Sequence, residues 1–280
     1  MFVDRYFHRA PRRNGHLDPT STAARTPTAA GGYRGGTRKG LDLTFGGPVD
    51  GTAVTSRFFA AAAEPAPSRP GEQRGGILLR TLRRRADAKL IAGPSLLVDE
   101  LLRVSGAHNI AALVADVWAD LNAFPPSSAS CGLRLHARDR TAQTVYRSPR
   151  IGLDLSHASV PVPANANTAP TLAHARTTFV SRRYRYFVQP AVLTANGRGH
   201  TFLGVYVALR ASPLAEGELV RQLADATGLK HPTAMKYLDE YRAGKDCSLR
   251  QFVGSQGKGA GSSPVPFLRM LGCLDCLQNE

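Results

Sequence analysis

The run Tyr33-Arg34-Gly35-Gly36-Thr37-Arg38-Lys39-Gly40 sets three cations and a tyrosine on a glycine-rich backbone, so the main chain can come close to a phosphate. A nucleotide-triphosphate cradle needs its lysine followed by Ser or Thr and a helix, whereas Lys39 is followed by Gly40 and a strand-like run. That leaves a phosphate-gripping loop or a plain turn. In Tyr184-Arg185-Tyr186-Phe187, aromatic and cationic side chains alternate. On a strand Tyr184, Tyr186 and Val188 share one face and Arg185 and Phe187 the other, so one face can stack a base. The alternative is an aromatic core face with Arg185 at its rim. Arg182 and Arg183 precede this run, and at a strand start the Arg183 and Arg185 guanidiniums are expected to be solvated. Asp42, between Leu41 and Leu43, points away from their face. It is a candidate for directing a water, or else an ion-pair partner of Arg38 or Arg80.

These residues sit in a chain of 280 residues with 36 Lys and Arg against 21 Asp and Glu, a formal charge of +15. Such an excess concentrates polyanions around the protein and favours phosphate contacts through counterion release, so nucleic acid leads as the partner, duplex DNA first. Arg83, Arg84 and Arg85 are consecutive, which even solvation would not require. No stretch reaches the ~20 apolar residues of a membrane helix, and Met1 to Ala10 is too charged for a secretory signal. The expectation is an intracellular protein, nuclear or cytoplasmic. The Arg-, Thr- and Ala-rich residues 5–38 also resemble an organelle transit peptide. Cys131, Cys247, Cys273 and Cys276 are too few for a disulfide framework, and the pair Cys273/Cys276 lacks the second pair or histidines that zinc needs. No metal or cofactor is expected. A hydrolase built on His8, His108, His136 or His200 has no nucleophile elbow to support it.

The elements that position these residues follow from periodicity. Leu41–Phe45 and Gly76–Leu82 alternate as strands, and an Ala/Pro-rich loop, 47–74, separates them. Gly93-Pro94 opens a helix whose stripe is Leu97, Leu101 and Leu102 and which Gly106 ends; a second helix starts at Asn109. Short strands are expected at 133–136, 144–147, 151–155, 184–188 and 202–209, with a loop over 156–178. From Glu216 the pattern turns helical, stops at Gly228 and restarts at His231-Pro232, in the form of a helix-turn-helix or of a hairpin that packs on the sheet. The expected fold is α+β, with an antiparallel, barrel-like mixed sheet, a helix pair and a small C-terminal helical part. Its expected divisions are a basic loop-rich segment 1–32, the α+β domain 33–212, the helical hairpin 213–253 and a flexible tail 254–280.

Four segments give a family resemblance. Gly76-Ile77-Leu78-Leu79-Arg80, Gly93-Pro94-Ser95, Pro149-Arg150-Ile151-Gly152-Leu153 and Tyr184-Arg185-Tyr186-Phe187 fall in the order of similar segments in the alkyladenine (3-methyladenine) DNA glycosylases. The resemblance covers roughly residues 33–190. It implies a mixed α/β fold that flips a damaged purine out of the duplex and hydrolyses its glycosidic bond with a carboxylate-positioned water and no metal. Arg80 and Arg150 would then stand near the flipped nucleotide, and Arg34, Arg38 and Lys39 on phosphates. The chain departs from the family where catalysis is concerned. Lys39 stands where the family has its wedge tyrosine, Gly36 near its base-stacking tyrosine, and no glutamate precedes Glu64. Asp4, in Asp4-Arg5-Tyr6, is the nearest analogue of the catalytic glutamate and Asp42 the second candidate. Either the chain starts beyond the catalytic strand, or one of these aspartates serves, or the protein binds DNA or RNA without chemistry.

Overall fold

The computed structural model describes residues 2–9, 40–45, 73–118, 143–164, 167–193 and 197–278. The chain divides into two compact units, one holding residues 3–143 and the other 144–280. The glycine-rich loop with Tyr33, Arg34, Arg38 and Lys39 lies outside the described residues, as does most of the loop 47–74.

In the first unit, strands β1 (Phe2–Arg9), β2 (Leu41–Phe45), β3 (Gln73–Arg83) and β4 (Leu90–Ala92) precede helix α1 (Pro94–Ser105). β2 and β4 pair antiparallel with successive stretches of β3, Leu41 opposite Leu79 and Thr81 opposite Ala92. α1 forms where the sequence dictates. Pro94 occupies the first turn, where a missing N–H costs nothing, and Gly106 closes the helix at φ 66°, a left-handed conformation that suits glycine. Its apolar stripe buries Leu97 and Val98 against Leu79, with Leu41, Ile77, Leu82, Leu101 and Leu102 around them. Asn109 caps the next turn, accepting from the Ala112 N–H at 2.8 Å, but α2 (Ile110–Ala112) runs at once into a π-turn, Leu113–Val117, leaving Trp118 half-buried.

The second unit is mainly helical and carries the larger core. Its strands are β5 (Tyr146–Ser148) and β6 (Arg185–Phe187), an antiparallel pair with Arg147 opposite Tyr186. Its helices are α3 (Ala169–Ala173), α4 (Ala175–Ser181), α5 (Arg198–Leu209), α6 (Glu216–Thr227), α7 (His231–Ala243) and α8 (Pro264–Leu277). Phe202 of α5, Leu223 of α6, Leu238 of α7 and Phe267, Leu268 and Leu274 of α8 are fully buried together, each such side chain contributing about 1.5–3 kcal/mol. α5 rests on the strand pair at Gly204, where a Cβ would lie 2.8 Å from the Phe187 ring.

Mixed α+β architecture is therefore present, but the described strands form short antiparallel pairings and do not close into a barrel. Several expectations are corrected. Residues 202–209 are helix, not strand; 151–155 hold a turn around Gly152, at φ 84°; and the expected loop 156–178 contains α3 and the start of α4. The region 254–280, expected as a flexible tail, supplies α8 and its buried face.

Candidate nucleic-acid interface

Arg183, Tyr184 and Tyr186 meet at a cleft of about 670 Å³ within the second unit. β5 brings Arg147 to it, the end of α4 brings Ser181 and then Arg182 and Arg183, and β6 brings Tyr186. Leu203 and Val207 of α5 and Leu271 of α8 line it with apolar side chains, and Tyr241, Asp275 and Gln278 line it as well. Three guanidiniums thus face one concavity. Arg147, Arg182 and Arg183 are exposed, and none of them has a salt bridge to a described residue. Arg147 lies 5.3 Å from the centroid of the Tyr186 ring, a planar cation set on an aromatic.

The period-2 reading of residues 184–188 holds, with the faces assigned opposite ways from the core alternative. Tyr184 and Tyr186 are half-buried on the cleft face. Arg185 and Phe187 are the buried face, with Arg185 3% exposed. Its guanidinium donates to Ser148 Oγ and Thr201 Oγ1, each at 3.1 Å, and lies 4.4 Å from the Phe187 centroid. Arg185 therefore cannot reach a phosphate; it ties β5, β6 and α5 together. Arg150 is likewise buried, beside the turn at Gly152, and is withdrawn from the set of residues that meet nucleic acid.

Asp275 is the carboxylate of this cleft, and it is engaged. Its Oδ2 accepts from the Tyr241 hydroxyl at 2.5 Å and from Arg210 Nη1 at 3.3 Å. Burial opposes its ionisation, but the Tyr241 hydroxyl and the Arg210 and Arg183 guanidiniums together hold its carboxyl below the ordinary range. Burial and the bond to this carboxylate push the Tyr241 hydroxyl upward, so it stays a donor. These bonds tie Tyr241 of α7 and Arg210, at the end of α5, to Asp275 of α8.

In the first unit, Arg84 is not a phosphate ligand. It forms a paired contact with Asp87, Nε to Oδ1 at 2.9 Å and Nη2 to Oδ2 at 2.5 Å, and meets Glu100 at 3.0 Å. The consecutive arginines 83–85 thus owe part of their clustering to an ion-pair network between the β3–β4 turn and α1. Arg80 is half-buried on β3, between buried Leu79 and Thr81. Asp42 pairs in register with Leu78 on β3, and Asp4 lies on β1. Burial pushes the Cys273 thiol up to about 12, so it is a packed core group and not a ready ligand or nucleophile. Among the described residues no cluster of three or more His, Cys, Asp or Glu is arranged to hold a metal, and no helix is long and apolar enough to cross a membrane.

Sequence reasoning reached Arg183, Tyr184 and Tyr186 as site residues and noted Arg182 in their cluster, but missed Arg147. Arg147 carried a signal, its place in the alternating run Tyr146-Arg147-Ser148. No family model, curated protein or solved structure matches the chain.

Proposed function

We propose that this protein binds nucleic acid, and that the second unit does so through the arginine and tyrosine cleft. The observation that carries the reading is the convergence of Arg147, Arg182 and Arg183 on one concavity beside two half-exposed tyrosines. Guanidiniums bind phosphate oxygens through paired N–H donors, and a base stacked on an aromatic ring contributes about 1–3 kcal/mol. The cleft suits a phosphodiester with an unstacked base better than a small neutral metabolite, whose site would be enclosed and mainly apolar. A formal charge of +15 supplies the long-range attraction. With Asp275 committed to Tyr241 and Arg210, the site holds its ligand and performs no acid–base step on it.

Replacing Arg182 and Arg183 together with alanine should weaken binding of labelled DNA at least about tenfold, measured by fluorescence anisotropy at fixed salt. The slope of log K against log salt should also fall by about two. Unchanged affinity in a folded double variant would remove the cleft from the interface.

Removal of alkylated purines is a second reading. It is favoured by β3 and by the Gly93-Pro94 start of α1, which take up the strand and helix that the glycosylase resemblance implies. In that reading Asp42 or Asp4 directs the water.

A further inference from the structure

α6 and α7 are joined by three residues, Gly228-Leu229-Lys230, with Gly228 at φ 67°. Both helices are anchored on one side. Leu219, Val220, Leu223 and Ala224 of α6 and Ala234, Tyr237, Leu238 and Tyr241 of α7 are buried in the core of the second unit. The far half of α7 is clamped to α8, where a Cβ on Gly272 would fall 1.9 Å from the Tyr241 carbonyl oxygen. The near half presents an outward stripe: His231, Pro232, Met235, Lys236 and Asp239 are all exposed, Met235 at 45%.

Of the five acids on α6 and α7, four are ion-paired within the protein, and Asp239, on the stripe itself, has no ion pair among the described residues. Glu216 pairs with Arg242 at 2.9 Å, Glu218 and Asp225 with Arg221 at 2.6 and 3.2 Å, and Glu240 with Arg269. Lys230, His231 and Lys236, at the turn and the first half of α7, have no such pair among the described residues. Lys230, Lys236 and the apolar Met235 therefore stand at the turn and the N-terminal half of the second helix, where a helix-turn-helix places its base-reading side chains.

We infer that α6 and α7 form a helix-turn-helix whose second helix enters the major groove of duplex DNA and reads base sequence through His231, Met235 and Lys236. Lys236 suits the acceptor pair of guanine, Met235 the methyl of thymine, and Lys230 a flanking phosphate. The inference rests on the nucleic-acid reading for the class of partner, but on different residues from the cleft.

The test is selection of bound duplexes from a random pool by the full chain, followed by sequencing. The wild-type protein should enrich a common motif. His231→Ala and Lys236→Ala, both at exposed positions and checked by thermal melting, should each lose about tenfold or more of the discrimination at one base position. Arg182→Ala with Arg183→Ala should weaken binding to all sequences and leave the motif unchanged. A pool that enriches no motif, or a motif unaltered in both folded α7 variants, overturns the helix-turn-helix. A motif altered by the α7 variants, with affinity indifferent to the arginine pair, overturns the cleft instead.

Discussion

Arg183 and Arg185 stand two positions apart, the first exposed just before β6 and the second buried on it. Arg183 is exposed at the cleft; Arg185 donates to Ser148 and Thr201 beneath it. Removing the buried guanidinium takes a donor from two hydroxyls and opens a cavity against Phe187, a loss of about 3 kcal/mol or more. Arg185→Ala should therefore lower the melting temperature by several degrees, while Arg183→Ala should alter stability by no more than about 0.5 kcal/mol. Differential scanning calorimetry of the two variants decides the matter, and equal melting would show that Arg185 is not a structural tie. Alternation alone identified the two faces of this strand. It could not say which face was the core, because a buried guanidinium and a surface one are the same letter, and the groups that satisfy Arg185 lie 37 and 16 residues away.

At the scale of elements, those with marked ends were legible. α1 has proline at its start and a left-handed glycine at its end; α6 ends on Gly228 and α7 restarts at His231-Pro232. α5 was not legible. Gly199 to Val205 are buried on every side, so no amphipathic period survives, and a short apolar run rich in Val, Phe and Tyr reads equally well as a strand. α8 was missed for a related reason: Gly272 and two cysteines interrupt its pattern, yet glycine is what its packing requires. A Cβ on Gly272 or Gly244 would meet backbone at 1.9 or 2.2 Å, which no side-chain rotation relieves. Gly272→Ala should cost about 3 kcal/mol or more by forcing α7 from α8. Gly217, in the first turn of α6 with nothing within 4 Å of its Cβ position, provides the contrast. Gly217→Ala should be neutral or stabilising by up to about 0.5 kcal/mol, since helix propensity is all that changes. Urea denaturation of both variants reads the difference, and a mild Gly272→Ala would mean that the two helices do not approach so closely.

At the scale of the whole molecule the question is whether binding is accompanied by chemistry. Net charge speaks only to binding: with several phosphates neutralised, affinity for duplex DNA should fall by orders of magnitude between roughly 50 and 200 mM salt. Hydrolysis of a glycosidic bond needs in addition a carboxylate set to direct water and to stabilise a cationic sugar. The carboxylate at the cationic cleft, Asp275, is instead spent on Tyr241 and Arg210. The 280-residue chain incubated with alkylated duplex DNA at low salt should therefore bind it and release no free purine, as read by chromatography of the supernatant. Purine release that is abolished by Asp42→Asn or Asp4→Asn, with affinity kept within about tenfold, would overturn this expectation, because losing a base removes chemistry and not phosphate contacts. It would make the protein an enzyme whose catalytic carboxylate sits on β2 or β1.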